Sequence, residues 1–323
     1  MAQGISEGSL TTKSKTVAVH RRRSKRWLTR DRIISLLLIA PSAILIAIFV
    51  YGFIAFTGFA SFTKWDSLLP DFSLVGFRNY QKLFDTVRFQ IDLQNTVVFT
   101  ILFLIACLAI GFVLAVLLDQ KIRFEGIFRS IFLFPLAVSY IVTGVVWRWL
   151  LNPGSVQLGS TGVNLLFDNL GLGFLKNGWY TDPSIGIKAV VIAATWQMSG
   201  YVMAMYLAGL RGIPEDLREA ARVDGANEFE IYRHIILPLL QPITLGAVII
   251  LGHMSLKIFD LVVAMTGPGP AFSSDVPAFF MWDTTFRGNN FAQGAGIATI
   301  LLAVVAVLIV PYLIYSTRTE AEV

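Results

Sequence analysis

Long apolar runs separated by short polar segments dominate this chain. Six runs are long enough for a helix to cross a hydrocarbon core of ~30 Å, which takes about 20 residues. They lie near 33–60, 95–118, 131–151, 185–209, 240–265 and 292–315. Strands of a membrane barrel would instead alternate apolar and polar positions over about ten residues, and these runs do not. The pattern predicts an all-α polytopic membrane protein with six transmembrane helices.

Two prolines fall inside the predicted spans, Pro41 in the first and Pro135 in the third. A proline removes one backbone donor and clashes with the carbonyl four residues before it, so a helix kinks or loosens there. We therefore expect a kink in the first span and a bend in the third.

The composition and the distribution of charge fit this class. Hydrophobic residues make up 55% of the chain, charged residues 15%, and the mean hydropathy is +0.67. With the N-terminus inside, 17 of the 26 Lys and Arg residues fall in the inner tails and loops and 6 in the outer loops. Because cytoplasmic loops are enriched in Lys and Arg, both termini are predicted to be cytoplasmic. The net charge of +5 is thus an orientation signal, and no nucleic-acid partner is expected.

Candidate chemistry is sparse. Cys107 is the single cysteine, which excludes a disulfide framework or a thiolate metal site. The three histidines, His20, His234 and His253, are far apart in sequence and lack ligand spacing. The chain has no G-x4-G-K-[ST] phosphate loop and no clustered acid, base and nucleophile set. We expect no metal or cofactor in this chain and no enzymatic activity.

The polar loop 210–238 lies between two spans and has the signals of a helix, a turn and a second helix. Pro214 suits a first helical turn, and Gly225 can adopt the positive φ that reverses the chain. Asn227, followed three residues later by Glu230, is typical of a capping box. Pro238 is expected to end the second helix before the next apolar run. Two adjacent alanines on the first helix, Ala220 and Ala221, allow close approach of another surface.

Within this loop, Glu219-Ala220-Ala221, then Gly225, then Ile235-x-Leu237-Pro238 match E-A-A-x3-G-x9-I-x-L-P. The pattern resembles the cytoplasmic loop motif of the membrane subunits of bacterial ATP-binding-cassette (ABC) importers. The resemblance implies a type I importer permease fold, in which this loop is the coupling helix that docks on a separate ATPase. The alternative is an ordinary solvated helical hairpin between two spans. The implied coupling residues are Glu219, Ala220, Ala221, Asp224, Gly225, Ile235, Leu237 and Pro238.

Other segments resemble the sugar branch of these permeases, and within it the first permease of a glucose/mannose-type or maltose-type system. Residues 75–80 contain a G-F-x-N-Y pattern that packs an outer loop onto the membrane face or forms an ordinary amphipathic surface segment. Pro135 stands in the usual entry of the third span. Phe259-Asp260 leads into the Thr-Gly-Pro-Gly-Pro run of residues 266–270, where Pro268 replaces the glycine of the family pattern. Residues 275–286 resemble the glucose/mannose type.

The resemblance also implies an organisation and a set of partners. We expect a partly disordered basic cytoplasmic tail over 1–32, whose cluster at 21–26 contacts anionic lipid headgroups. The first transmembrane helix and an outer loop follow over 33–92, the five-helix core with the loop 210–238 over 93–315, and a cytoplasmic tail over 316–323. The expected partners in the bacterial-type inner (plasma) membrane are a second homologous permease, two ATPase subunits that hold ATP and Mg, an extracellular solute-binding protein, the sugar and membrane lipid.

Polar residues inside spans are costly and tend to mark a transport pathway. Aromatic faces and amides suit sugar rings, whose C–H faces stack and whose hydroxyl groups donate and accept hydrogen bonds. Each candidate also has a structural alternative. Lys257 and Asp260 can neutralise each other one turn apart, and Gln197 can join helices by a hydrogen bond. Aromatic side chains can anchor the span at the lipid interface. The predicted pathway residues are Trp196, Gln197, Tyr201, Ser255, Lys257 and Asp260.

Together these features predict a permease subunit of an ATP-driven importer that moves a sugar into the cytoplasm by alternating access. Importers of another small solute, such as glycerol phosphate or an oligosaccharide, are alternatives. A stand-alone secondary transporter or channel would more often have ten or twelve spans, and a membrane enzyme would need a catalytic set. Neither of these explains the motif in the loop 210–238.

Overall fold

The computed structural model describes residues 30–321 apart from 121, 156 and 158, so the predicted basic cluster at 21–26 lies outside the described residues. The chain divides into two compact units, Met1–Phe53 and Ile54–Val323. The helices in chain order are α1 (Arg30–Ile46), α2 (Phe53–Ser61), α3 (Arg78–Asp85), α4 (Val87–Asp119), α5 (Glu125–Leu133), α6 (Tyr140–Leu150), α7 (Gly162–Asn169), α8 (Gly186–Gly212), α9 (Glu215–Val223), α10 (Glu228–Ile231), α11 (Leu237–Leu239), α12 (Gln241–Leu256), α13 (Asp260–Met265), α14 (Pro277–Trp282) and α15 (Phe291–Ala321).

In the first unit, α1 continues through Pro41, and π-helical turns follow over Ala47–Gly52. π-Helical turns are rare and interrupt the regular hydrogen-bond pattern of an α-helix. The distortion that the structure shows in this unit therefore lies after the proline, at Ala47–Gly52. The predicted kink at Pro41 stays a prediction.

The centre of the second unit is the pair α4 and α8. Helix α8 buries residues on all sides, which is typical of a helix surrounded by protein. Small residues bring the two helices together, since a Cβ added to Gly111 on α4 would lie 2.7 Å from the Val202 side chain on α8. A Cβ on Gly200 would lie 1.9 Å from the Phe132 carbonyl, so α8 also approaches the end of α5 closely. Close approach at small residues is the usual way membrane helices pack.

Three apolar helical stretches are long enough to cross a membrane, Ile34–Ser61, Val87–Asp119 and Gly186–Gly212. Two of the predicted spans are not single helices. Residues 125–137 and 140–150 meet at an angle of 100°, and residues 228–239 and 241–256 meet at 63°. Pro135 lies in the 3-10 turn before the first break, which confirms the bend predicted there. The sixth predicted span begins at Phe291 in α15, and the apolar part of this helix is Phe291–Val307.

The predicted span 240–265 is also interrupted. Helix α12 ends at Leu256, and α13 begins at Asp260. Non-helical backbone at membrane depth is tolerated where it is covered by protein or lines a water-filled cavity. The break at residues 257–259 therefore needs protein or a water-filled cavity around it, and the apolar run in the sequence does not predict this break.

The outer G-F-x-N-Y segment fixes the loop that follows α2. The amide of Asn79 donates hydrogen bonds of 2.8 Å to the carbonyls of both Ser61 and Thr63. The hydroxyl groups of Tyr80 and Ser61 lie 2.6 Å apart. Thr63 also pairs with Leu74 in an isolated antiparallel bridge. The segment thus ties its own helix, α3, to the end of α2.

Candidate functional site

The loop 210–238 has the structure that its sequence predicts. Helix α9 follows Pro214, and Gly225 has φ +88°, where a residue with a side chain is strained. The Asn227 side chain accepts from the Glu230 backbone N–H at 3.0 Å, and the Glu230 carboxylate accepts from the Asn227 N–H at 2.8 Å. This reciprocal pair confirms the predicted capping box. π-Helical turns over Tyr232–Ile236 precede Pro238, and α11 ends just after it.

The coupling residues predicted in this loop divide between two faces. Ala221 is buried against the core of its own chain, and Ile235 is half-buried. Ala220, next to Ala221, is exposed. One alanine of the motif therefore packs on its own chain, and the other is accessible at the surface. The remaining predicted residues are exposed: Glu219, Asp224, Gly225, Leu237 and Pro238.

Two large apolar side chains beside the turn are missing from the sequence-based set. Val223 is 88% exposed and Phe229 is 71% exposed. They flank Gly225 and are surrounded in sequence by carboxylates. An apolar residue on each side of a turn glycine in an otherwise polar loop was the signal that could have found them. Large hydrophobic side chains that are exposed among polar residues are typical of a protein interaction surface.

Salt bridges hold the loop against the transmembrane helices. Arg218 on α9 pairs with Asp119 at the end of α4 at 2.9 Å, and both side chains are mostly buried. Arg211 at the end of α8 pairs with Glu125 at the start of α5 at 2.7 Å. Movement of α9 is thereby connected to α4, and movement of the end of α8 to α5.

A second pairing stiffens the loop itself. Arg222 on α9 donates from Nε to Glu228 on α10 at 2.9 Å, across the turn at Gly225. The hydrogen bond from Arg222 to the Glu228 carboxylate raises the pKa of Arg222. Both groups are exposed, so this pair contributes little to stability. It lies at one side of a polar cleft of about 880 Å³ between α9, α10 and the ends of α4 and α8.

A separate cavity of about 290 Å³ opens at the break between α12 and α13. Three predicted pathway residues line it together, Ser255, Lys257 and Asp260. Both charged side chains are exposed to it, and the described residues include no salt bridge between them. The other side chains around the cavity are mostly aromatic or apolar: Phe99, Phe103, Tyr140, Ala194, Met254, Ile258, Phe259 and Leu261.

The other three predicted pathway residues lie outside this lining. Gln197 is buried, and its amide donates at 2.6 Å to the Val138 carbonyl at the break between α5 and α6. Trp196 packs edge-on against Trp147 with ring centroids 6.1 Å apart. Tyr201 packs at the edge of the main core. Tyr140 lines the cavity instead, and no linear signal places it there, because its position depends on the bend after Pro135.

The chain is similar to known membrane transport proteins. The model of a family described as binding-protein-dependent transport system inner membrane component matches residues 108–318. The chain is 43% identical over 285 residues to a probable ABC transporter permease protein of Pyrococcus horikoshii, a match that covers 88% of this chain and 96% of the relative. It is 38% identical over 277 residues to the xylose/arabinose import permease protein XacH of Haloferax volcanii, which covers 85% of each chain.

Two solved structures share the fold. One is the crystal structure of a bacterial alginate ABC transporter in complex with alginate pentasaccharide-bound periplasmic protein. One of its chains matches with a TM-score of 0.73 at 21% identity, covering 87% of this chain and 92% of that chain. A crystal structure of a bacterial ABC transporter involved in alginate import matches with a TM-score of 0.72 at 23% identity, covering 90% and 96%. The match confirms the predicted all-α permease fold.

Proposed function

The chain belongs to the family of binding-protein-dependent transport system inner membrane components and is a permease subunit of an ABC importer; from this premise, we propose that it carries a sugar into the cytoplasm by alternating access, driven by ATP hydrolysis on a separate subunit. The single observation that carries the proposal is the exposure of two large apolar side chains, Val223 and Phe229, on either side of the turn at Gly225. A surface of this kind needs a partner, and the motif around it resembles the coupling loop of the family.

The loop surface suits an ATPase with an apolar groove and a basic rim. Glu219 and Asp224 are exposed on the same turn as Val223. Complementary charge around an apolar centre raises the association rate and fixes the register of docking. We propose two ATPase subunits and one second homologous permease, so that each permease contributes one coupling loop. Both termini would lie in the cytoplasm with this loop, and an extracellular solute-binding protein would deliver the cargo.

The cavity at the α12–α13 break supports a sugar as cargo. It combines aromatic rings with a hydroxyl group, an ammonium group and a carboxylate, from Ser255, Lys257 and Asp260. Rings can stack on the C–H face of a sugar, and the polar groups can bind its hydroxyl groups. A cavity with one charge of each sign favours cargo with little net charge over a phosphate ester. The relative named for xylose and arabinose import points to the same class.

The test is assembly and uptake with the complete set of subunits. Val223→Asp and Phe229→Ala should lower the amount of ATPase that is retained when the tagged permease is purified in detergent. Phe174→Ala is the matched control, because Phe174 is 80% exposed on a different loop. Sugar uptake is then measured in proteoliposomes against a panel of pentoses, hexoses, oligosaccharides and glycerol phosphate. Full ATPase retention in both loop variants would overturn the docking surface, and uptake of glycerol phosphate alone would overturn the sugar.

A further inference from the structure

The segment between α13 and α14 lies at the end of the cavity opposite the coupling loop. The Asn95 amide donates to the carbonyls of Phe272 and Asp275 at 2.8 and 2.9 Å. Asn95 is one turn, about 6 Å, along α4 from the cavity-lining Phe99. The Ile187 N–H donates to the Ser273 carbonyl at 2.9 Å, about 10 Å along α8 from the cavity-lining Ala194. Residues 267–276, the outer segment, therefore lie beyond this end of the cavity, next to the outer parts of α4 and α8.

The outer segment is held in a strained conformation. Ala271 and Phe272 are consecutive residues with φ +51° and +62°, a region that L-residues other than glycine rarely occupy. Strained backbone persists only where its surroundings over-determine it. Here the constraint comes from α4, since Asn95 holds the Phe272 carbonyl and the Arg88 guanidinium lies 4.9 Å from the Phe272 ring centroid. Release of these two contacts would let the segment relax.

Arg88 is the main link between α4 and the outer segment. Its Nε donates to the fully buried Asp275 at 2.6 Å, and its Nη1 donates to Asp283 at 2.7 Å. The guanidinium also lies 4.4 Å from the Phe280 ring centroid. Its third nitrogen, Nη2, is buried and has no hydrogen-bond partner among the described residues. One strong donor of this residue is thus unused in the present arrangement.

An unused acceptor lies one turn away on the same helix. Asp92 is completely buried within hydrogen-bond reach of the Asp275 carboxyl group, and neither of its oxygens accepts from an N–H group in the described part of the chain. Arg and Asp residues four apart on a helix lie on the same face and can pair. A buried polar group without a hydrogen-bond partner is costly. A conformation in which Arg88 turns to Asp92 therefore gains a hydrogen bond between the guanidinium and this carboxyl group.

From this arrangement we infer that Arg88 is a two-position residue of an outer gate, bound to Asp275 and Asp283 when residues 267–276 are closed and to Asp92 when they open. The inference deepens the proposed function and rests on it, because it assigns the closed end of the same transport cavity. Asn95 acts with Arg88 as a positioning residue. Closing strains Ala271 and Phe272, and opening relieves that strain while Arg88 leaves the carboxylates of Asp275 and Asp283 for that of Asp92.

The gate predicts opposite effects for two neutralised carboxylates. Asp283→Asn weakens the closed contact only, so ATP hydrolysis by the reconstituted transporter without binding protein should rise roughly tenfold. Asp92→Asn removes the open-state partner and also a carboxylate next to Asp275. Both changes favour the closed state, so hydrolysis with binding protein should fall by a similar factor. Arg287→Gln is the matched control, because Arg287 pairs with the same Asp283 at 3.1 Å on the exposed side and should change neither rate.

Labelling of the cavity from outside is a second test of the gate, and it applies even where a carboxylate variant assembles poorly. Ala271→Gly relieves strain in the closed conformation without removing any side-chain contact, so it should slow the labelling of Asp260→Cys by a water-soluble maleimide added outside. Changes in the same direction for Asp283→Asn and Asp92→Asn, or no change in labelling with Ala271→Gly, would overturn the gate. Failure of the proposed function itself looks different, since wild-type transporter would then show no stimulation of ATP hydrolysis by any binding protein.

Discussion

Arg218 on the coupling helix α9 donates a hydrogen bond of 2.9 Å to Asp119, the last residue of α4. Helix α4 also carries Phe103, which lines the cavity about 24 Å from Asp119, and Asn95, which binds the outer segment. A single rigid helix therefore reaches the coupling loop, the cavity and the outer end of the cavity. A displacement of α9 by a docked partner has a direct mechanical route to the site where cargo would bind.

The first prediction concerns this pair. Arg218→Ala leaves the mostly buried Asp119 without its partner, which we expect to cost about 1–3 kcal/mol. The thermal inactivation temperature of the assembled transporter should fall, and uptake should fall further because α9 is no longer tied to α4. Arg222→Ala is the control, since its pairs are exposed and contribute little. Equal effects of the two substitutions would show that the link to α4 has no special role.

The second prediction uses the turn between α9 and α10. A Cβ added to Gly225 meets no atom within 4 Å, so any effect of a substitution comes from its φ of +88°. Gly225→Val should cost about 1–2 kcal/mol locally and reorient the exposed pair Val223 and Phe229. Gly225→Asn, which tolerates positive φ better, should retain more function. The measurement is ATP hydrolysis stimulated by binding protein beside uptake, and normal coupling in Gly225→Val would remove the turn from the mechanism.

The local structure of the coupling loop could be predicted from its sequence because short-range chemistry decides it. Pro214, Gly225 and the Asn227–Glu230 capping box act within a few residues of themselves, and the structure agrees with each. The type of fold followed from the lengths of the apolar runs. The motif indicated the family, and packing within this chain accounts for only part of it, since Ala221 is buried whereas Glu219 and Gly225 are exposed.

The cavity could be predicted only in part. Lys257 and Asp260 were chosen because charge in an apolar run is costly, and they do lie at the break after α12. Tyr140 could not be chosen, since its place depends on a 100° change of direction after Pro135. Gln197 is polar like a pathway residue, but its amide donates a hydrogen bond to the Val138 carbonyl at the α5–α6 break. The sequence shows that a polar residue in an apolar run is costly to bury, but it does not show which neighbour forms a hydrogen bond with it.

The third prediction tests the anchor of the outer loop after α2. Asn79→Ala removes two hydrogen bonds to the carbonyls of Ser61 and Thr63, both of which are fully buried. Leaving buried acceptors without donors costs about 1–3 kcal/mol each. Thermal unfolding of the purified transporter, followed by tryptophan fluorescence, should shift to a lower temperature. Gln81→Ala on the exposed side of the same helix is the control and should leave the transition unchanged.

The last prediction concerns the cavity. Lys257 and Asp260 line it without pairing to each other or to another charged side chain among the described residues. Unpaired charges at membrane depth persist where they face water, so both should be accessible from an aqueous pathway. Asp260→Ala should lower uptake at least tenfold while the amount of assembled complex stays the same. Asp260→Cys, on a Cys107→Ser background, should react with a water-soluble maleimide in at least one nucleotide state, whereas Ala247→Cys at a fully buried position should not. An unreactive Asp260→Cys together with normal uptake in Asp260→Ala would mean that the two charges serve the packing of the α12–α13 break and that the cargo passes elsewhere.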